Sequence, residues 1–252
     1  MIPIMIPALS LKNRWRLLPV LALLLGARAN AETSAAPDAK LLDTFTTKDG
    51  KYTITVDSTA SPDLREWFAK NAIPKVVDWY PKIIDLILSP GDKPPSKMTL
   101  TLKNGVIIPG NPGVPAYASG GGIVVSSDFM RSQKDGEAVG CIIHEMTHIV
   151  QSGTGASKAP GWSVEGVADW VRWYQFEPRK KGAEISDPSK AKYDASYRVS
   201  ANFLNWVMKS HDKQIIKELT HTMSTGYSDD FWIKTTGKSI SELEAKWKKS
   251  LK

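Results

Sequence analysis

The chain has 252 residues, with 42% hydrophobic and 23% charged residues, a formal charge of +7 and a single cysteine. That balance gives enough apolar material for one domain of ordinary size and excludes collagen-like, low-complexity and multi-span membrane architectures. One cysteine, Cys141, excludes an intramolecular disulfide and every cysteine-rich zinc site.

The N-terminus reads as an export signal. Lys12, Arg14 and Arg16 precede the apolar run Leu17 to Leu25, and Ala29-Asn30-Ala31 follows as a small-x-small cleavage site. The run falls well short of the roughly 20 residues that span a bilayer, so residues 1–31 are expected to be removed rather than to anchor the chain. Residues 32–41 form a polar spacer, and the folded domain is expected over 42–252. Four of the 33 basic residues leave with the signal and no acidic ones do, which lowers the charge of the remainder to +3. Nucleic acid is therefore not an expected partner. The densest basic cluster, Arg179-Lys180-Lys181, reads as a solvated loop after a helix.

Lys51 to Asp57 alternates as a strand. Ser61-Pro62-Asp63-Leu64 opens a helix, with apolar residues recurring from Trp67 to Ile87 as one long helix or as two broken near Pro74 or Pro81. Lys97 to Leu102 is a second alternating strand, 105–122 a Gly/Pro-rich loop, and Ile123 to Ser127 a third strand. Directly ahead of the next helix, this third strand is a candidate edge for pairing with an extended peptide. Asp135-Gly136-Glu137 opens a helix whose apolar residues Val139, Ile142, Ile143, Met146, Ile149 and Val150 keep helical spacing. Cys141 lies on it as a buried apolar thiol. Another helix runs from about Ser163 to Tyr174, and three more are expected near Tyr193 to Lys209, Asp212 to Met223 and Ser239 to Leu251. The fold class is α+β.

His144-Glu145-Met146-Thr147-His148 carries the chemistry. Histidines four apart on a helix present both imidazoles to one metal ion, here Zn2+, and the carboxylate between them falls where it can act as general base toward an activated water. The flanks are apolar, and half-buried imidazoles beside a carboxylate need a compensating partner, which a metal supplies. Zinc takes a third protein ligand. On the next helix Glu165 and Asp169 are again four apart, so Glu165 can face the metal while Asp169 holds the outer nitrogen of a ligand histidine. The longer zinc pattern with a third histidine would need Gly at position 151, where Gln151 stands. His211 and His221 read as helix-surface residues, with third ligand or transition-state donor as the alternatives.

Together with Gly113-Val114-Pro115-Ala116-Tyr117, Gln151, the segment from Gly161 to Arg172, Tyr197 to Leu204 and Thr236-Gly237-Lys238-Ser239, these residues resemble the plant basic secretory protein family, whose members also occur in bacteria. The resemblance spans roughly residues 50 to 250. It implies a zincin-like domain, peptide-bond hydrolysis and secretion, with metal binding at His144 and His148 and the base at Glu145. Glu165 as third ligand fits the related pattern of a later E-x-x-x-D helix. Tyr197 is either an oxyanion donor near the metal or a core tyrosine.

The expectation is thus an exported zinc peptidase acting on a peptide or protein, with no membrane partner once the signal is removed. The alternatives are a non-catalytic zincin-fold protein that binds peptide or glycan, and a zinc hydrolase of cell-wall crosslinks. Side-chain specificity and oligomeric state are not encoded in any motif.

Overall fold

The computed structural model describes residues 39–134, 136–155 and 158–251. The expected signal segment and most of the spacer lie outside these residues, as does Asp135. The described chain is a mixed α+β unit. Five strands, β1 (Leu42–Thr46), β2 (Thr53–Asp57), β3 (Lys97–Lys103), β4 (Ala116–Ser119) and β5 (Gly122–Ser126), form one sheet in the order β1-β2-β3-β5-β4. The inner pairs β2/β3 and β3/β5 are parallel, and the two outer pairs are antiparallel.

Alternation puts Ile54 and Val56 of β2, Met98, Leu100 and Leu102 of β3, and Ile123 and Val125 of β5 into a common core. A parallel step requires a crossover. The helical segment 62–87 supplies the one between β2 and β3, ending in α1 (Ile73–Ile87). It is continuous through Pro81, and the irregularity lies ahead of Pro74, where 68–72 turn with π spacing. A proline ring clashes with the carbonyl four residues back, and the wider turn leaves it room.

The strand Ile123 to Ser127, expected to be a substrate-binding edge, is not at an edge. β5 lies between β3 and β4, and the edge is β4, inside the stretch 105–122 that reads as loop. Gly120 and Gly121, both at positive φ, let the chain reverse tightly so that Ala116 to Ser119 pair back onto β5. Four residues flanked by glycine and proline carry too little alternation to signal a strand.

After α2 (Ser127–Ser132), which the sequence reading lacked, comes α3 (Ala138–Gln151), starting just after Glu137. Nearly all of α3 is buried, among its residues Cys141, whose thiol burial pushes up to about 12. That explains an apolar pattern broader than a single stripe. α4 (Gly161–Trp170) runs on into a π-spaced turn, Val171–Phe176. Four helices follow where three were expected: α5 (Tyr197–Ser210), α6 (Ile215–Thr225), α7 (Asp230–Thr236) and α8 (Ile240–Ser250). The added one, α7, is a two-turn element whose Phe231 and Trp232 are buried. The expected start of α5 at Tyr193 shifts to Tyr197, because the Ser196 side chain caps there by accepting from the Val199 amide. Arg179 and Lys180 do follow the helix in a short turn, though Lys180 is engaged by the Gly136 carbonyl and Glu177.

The helix pair α4/α5 meets at Gly166. A Cβ there would stand 2.8 Å from Ser200 Cβ and 3.1 Å from Leu204 Cδ1. Only a glycine lets the helices approach this closely, and it neighbours Glu165. Gly166→Ala gains helix propensity but overpacks rigid atoms, so a net loss of about 1–2 kcal/mol is expected. Chemical denaturation measures it, and an unchanged midpoint would mean that the contact is soft.

Candidate metal and catalytic site

α3 and α4 pack side by side, and the site forms where their facing residues meet. His144 and His148 are one helical turn apart on α3, and Glu165 reaches them from α4. His144 Nε2 lies 3.2 Å from His148 Nε2 and 3.2 Å from Glu165 Oε2, and His148 Nε2 lies 3.4 Å from the same carboxylate oxygen. Three ligand-type atoms therefore converge on one point, and these residues are close enough together to hold a metal ion.

The outer nitrogens determine which way the imidazoles present their lone pairs. Asp169 Oδ1 sits 2.7 Å from His144 Nδ1, and an ionised carboxylate can only accept, so Nδ1 carries a proton. Gln151 plays the matching part for His148. Its amide nitrogen donates to the Val164 carbonyl at 3.1 Å, which turns its Oε1 toward His148 Nδ1 at 2.8 Å. Both Nδ1 atoms thus donate, and both Nε2 lone pairs face each other and Glu165. The sequence marks Gln151 as a departure from a longer motif and as part of the family resemblance, without giving it this role. Its spacing of three from His148, on the same helix face, was the available signal.

Three acceptors this close repel unless a cation lies among them. In the metal-free protein that cation is a proton. Burial alone would lower the His144 pKa, but hydrogen bonds to Asp169 and Glu165 outweigh it and push the group up to about 9. Glu165 shows the counterpart: burial opposes its charge, and hydrogen bonds from the two histidines bring it down to about 2. A divalent ion satisfies the same three atoms with more charge. In tetrahedral coordination at about 2.0–2.1 Å, ligand atoms lie about 3.3 Å apart, which is the separation seen here.

Glu145 lies beside the triad without joining it. Burial raises its pKa, opposed by the charges of His144 and His148 and by a backbone hydrogen bond from Ala118 on edge strand β4. Triad, Glu145, Asp169 and β4 all line one cleft of about 1060 Å3, closed on another side by the start of α5. Tyr197, the first residue of α5, is not a core tyrosine: it is 55% exposed and stacks near His144, with ring centroids 6.3 Å apart and planes 23° apart. Proximity to Glu165 raises its pKa, with burial and Asp169 adding, so the phenol keeps its proton. His211 and His221 are outside this cleft. His211 ends α5 against Trp206, and exposed His221 pairs with Asp92 at 3.2 Å.

The sequence model of BSP, peptidase of plants and bacteria, matches residues 81–247, a stretch that runs from α1 to α8 and contains every residue of the site. No curated protein was found to match the chain. With most of its length matched, from the helix behind the sheet to the last buried tryptophan, Trp247, the chain belongs to the BSP family of peptidases of plants and bacteria.

Proposed function

We propose that this peptidase is a zinc-dependent hydrolase with a zincin-like domain over residues 42–252, exported by its N-terminal segment, in which His144, His148 and Glu165 hold the metal. The observation that carries the reading is the triangle of ligand atoms, 3.2, 3.2 and 3.4 Å on its sides. Neutral nitrogens with one carboxylate suit a borderline ion such as zinc better than the all-oxygen shell of calcium or magnesium. Asp169 and Gln151 fix the tautomers that leave Nε2 free to bind. When bound, the ion supplies a Lewis acid for the scissile carbonyl and lowers the pKa of water.

The chain's own groups do the rest. Glu145 takes the proton from the attacking water and passes it to the leaving amine, and its buried setting makes it a stronger base than an exposed carboxylate. Among the described residues β4 has an unpaired strand edge beside Glu145, along which the main chain of an extended peptide can add as a further strand. The Tyr197 phenol, protonated and exposed near His144, is suited to donate to the oxyanion as the tetrahedral intermediate forms. A site used only for binding has no need of Glu145, a half-buried carboxylate with a raised pKa in the cleft.

Three measurements follow. Mature protein purified without chelator should contain near-stoichiometric zinc, lost in His144→Ala. Glu145→Gln should retain the zinc while kcat drops about 10²–10⁴-fold, and turnover equal to wild type would overturn the base assignment. For Tyr197→Phe, kcat should fall about 10²-fold with KM nearly unchanged, and a change confined to KM would make Tyr197 a binding residue instead.

Because zinc must displace the proton from His144, whose metal-free pKa is about 9, loading near pH 7.5 should release about one proton per ion. Calorimetry in buffers of different ionisation enthalpy reads that number. The same raised pKa stabilises the metal-free fold fully below the ordinary histidine range, near 6.5, and the stabilisation is lost as pH rises toward about 9. The Tm of metal-free protein should therefore fall across that window. That of the zinc form, whose histidines are already neutral, should not.

A further inference from the structure

The cleft extends past the triad to Glu137, Arg172 and Arg198, a group of charges with no part in the chemistry above. Arg172, 7% exposed, lies between two carboxylates: its Nη2 donates to Glu137 Oε2 at 3.0 Å, and its Nε stands 3.5 Å from Glu177 Oε2. Glu177 in turn accepts from Lys180 at 2.8 Å through its other oxygen. Gly140, one turn before His144 on α3, makes room for this pair, since a Cβ there would fall 2.5 Å from Glu177 Oε2 and 2.8 Å from Arg172 Nε. Arg172 is therefore a structural charge, neutralised within the wall.

Arg198 is different. It follows Tyr197 directly, lines the same cleft, and its side chain is 50% exposed. Its guanidinium lies over the Trp173 ring at 4.6 Å, the ring that also carries Arg172 at 4.1 Å. Trp173 is itself fixed, buried and packed so tightly on Gly182 that a Cβ there would overlap it. Arg198 forms an ion pair with Glu137, whose Oε1 lies 3.6 Å away, a looser contact than the hydrogen bond by which the other oxygen serves Arg172. Three cations (Arg172, Arg198, Lys180) share two carboxylates (Glu137, Glu177), and Arg198 has the longest of these contacts and the most exposed side chain of the three cations.

A half-exposed guanidinium seated over an indole in the wall of a cleft is prearranged for a carboxylate. We infer that Arg198 is a specificity residue that binds a substrate carboxylate, so that this enzyme favours peptides presenting one close to the scissile bond. The carboxylate comes either from an acidic side chain or from the peptide's own C-terminus. This rests on the peptidase reading, since it describes the same cleft.

The test uses zinc-reconstituted full-length mature protein and peptides with Glu, Gln or Lys at each of three positions on either side of a cleavable bond. Each is made with a free or an amidated C-terminus. At one position Glu should exceed Gln in kcat/KM by about tenfold, the size of a charge-assisted hydrogen bond. If the C-terminus is the source, the free form should exceed the amide instead. In Arg198→Gln the ratio should fall to near one, and in Arg198→Glu the preference should move to Lys, with zinc content retained in both. Equal rates for Glu, Gln and both C-termini in wild type, or a preference that survives Arg198→Gln, would overturn the assignment.

Equilibrium binding of the same peptides to Glu145→Gln, followed by fluorescence anisotropy, separates this from the parent reading. Tighter binding of the carboxylate peptides there, with no cleavage of any peptide by wild type, would sink the peptidase mechanism and leave Arg198 standing. Binding indifferent to the carboxylate would remove Arg198 whatever the turnover.

Discussion

Two imidazole nitrogens and a carboxylate oxygen held within 3.4 Å of one another are an unstable arrangement without positive charge, and much of this molecule serves to keep them there. Asp169 and Gln151 anchor the outer nitrogens, so the rings cannot turn their lone pairs away. Gly166 lets α4 sit close enough to α5 for Glu165 and Asp169 to address α3. α3 itself is walled in by the sheet, α1 and α4, which fixes its rotation about its own axis. Desolvation that would ordinarily strip charge from these groups is met by mutual hydrogen bonding, and the imbalance that remains is what a cation relieves.

The same packing explains why the triad, Glu145, β4 and Tyr197 share one cleft. Among the described residues β4 has a free strand edge and brings the Ala118 amide to Glu145, while the start of α5 brings Tyr197 into the same cleft. The roles proposed for β4, Glu145 and the triad would thereby fall to groups on rigid elements, as an arrangement that depends on close placement requires. Beyond them the wall changes character, from a triad able to hold a metal ion to an ionic cluster built on Trp173, in which the Arg198 side chain is half exposed.

Much of this was legible in the residues. The spacing of His144, Glu145 and His148 determines their relation on any α-helix, because four residues make about one turn. The second spacing, Glu165 to Asp169, could be read the same way, and the structure brings both helices to one point. The alternating strands β2, β3 and β5 and the apolar periodicity of α1 and α3 follow from burial alone. Where the reading failed, the local signal was weak or cancelled by context. β4 is four residues among glycines and prolines, α7 is two turns long, and the helix expected from Tyr193 begins at Tyr197, where Ser196 caps it.

What the sequence by itself determined, then, is the set of chemical groups and their spacing within each element: two histidines and a glutamate on one helix, two carboxylates on another. Local geometry along a helix needs no partner. Which strand forms the edge, which partner orients His148, whether Tyr197 is core or cleft, and that Arg198 is half exposed while Arg172 is buried were decided by tertiary structure alone. Each depends on contacts between residues far apart in the chain, such as Glu137 with Arg172 or Ala118 with Glu145, and no periodicity within one segment encodes where another segment will lie.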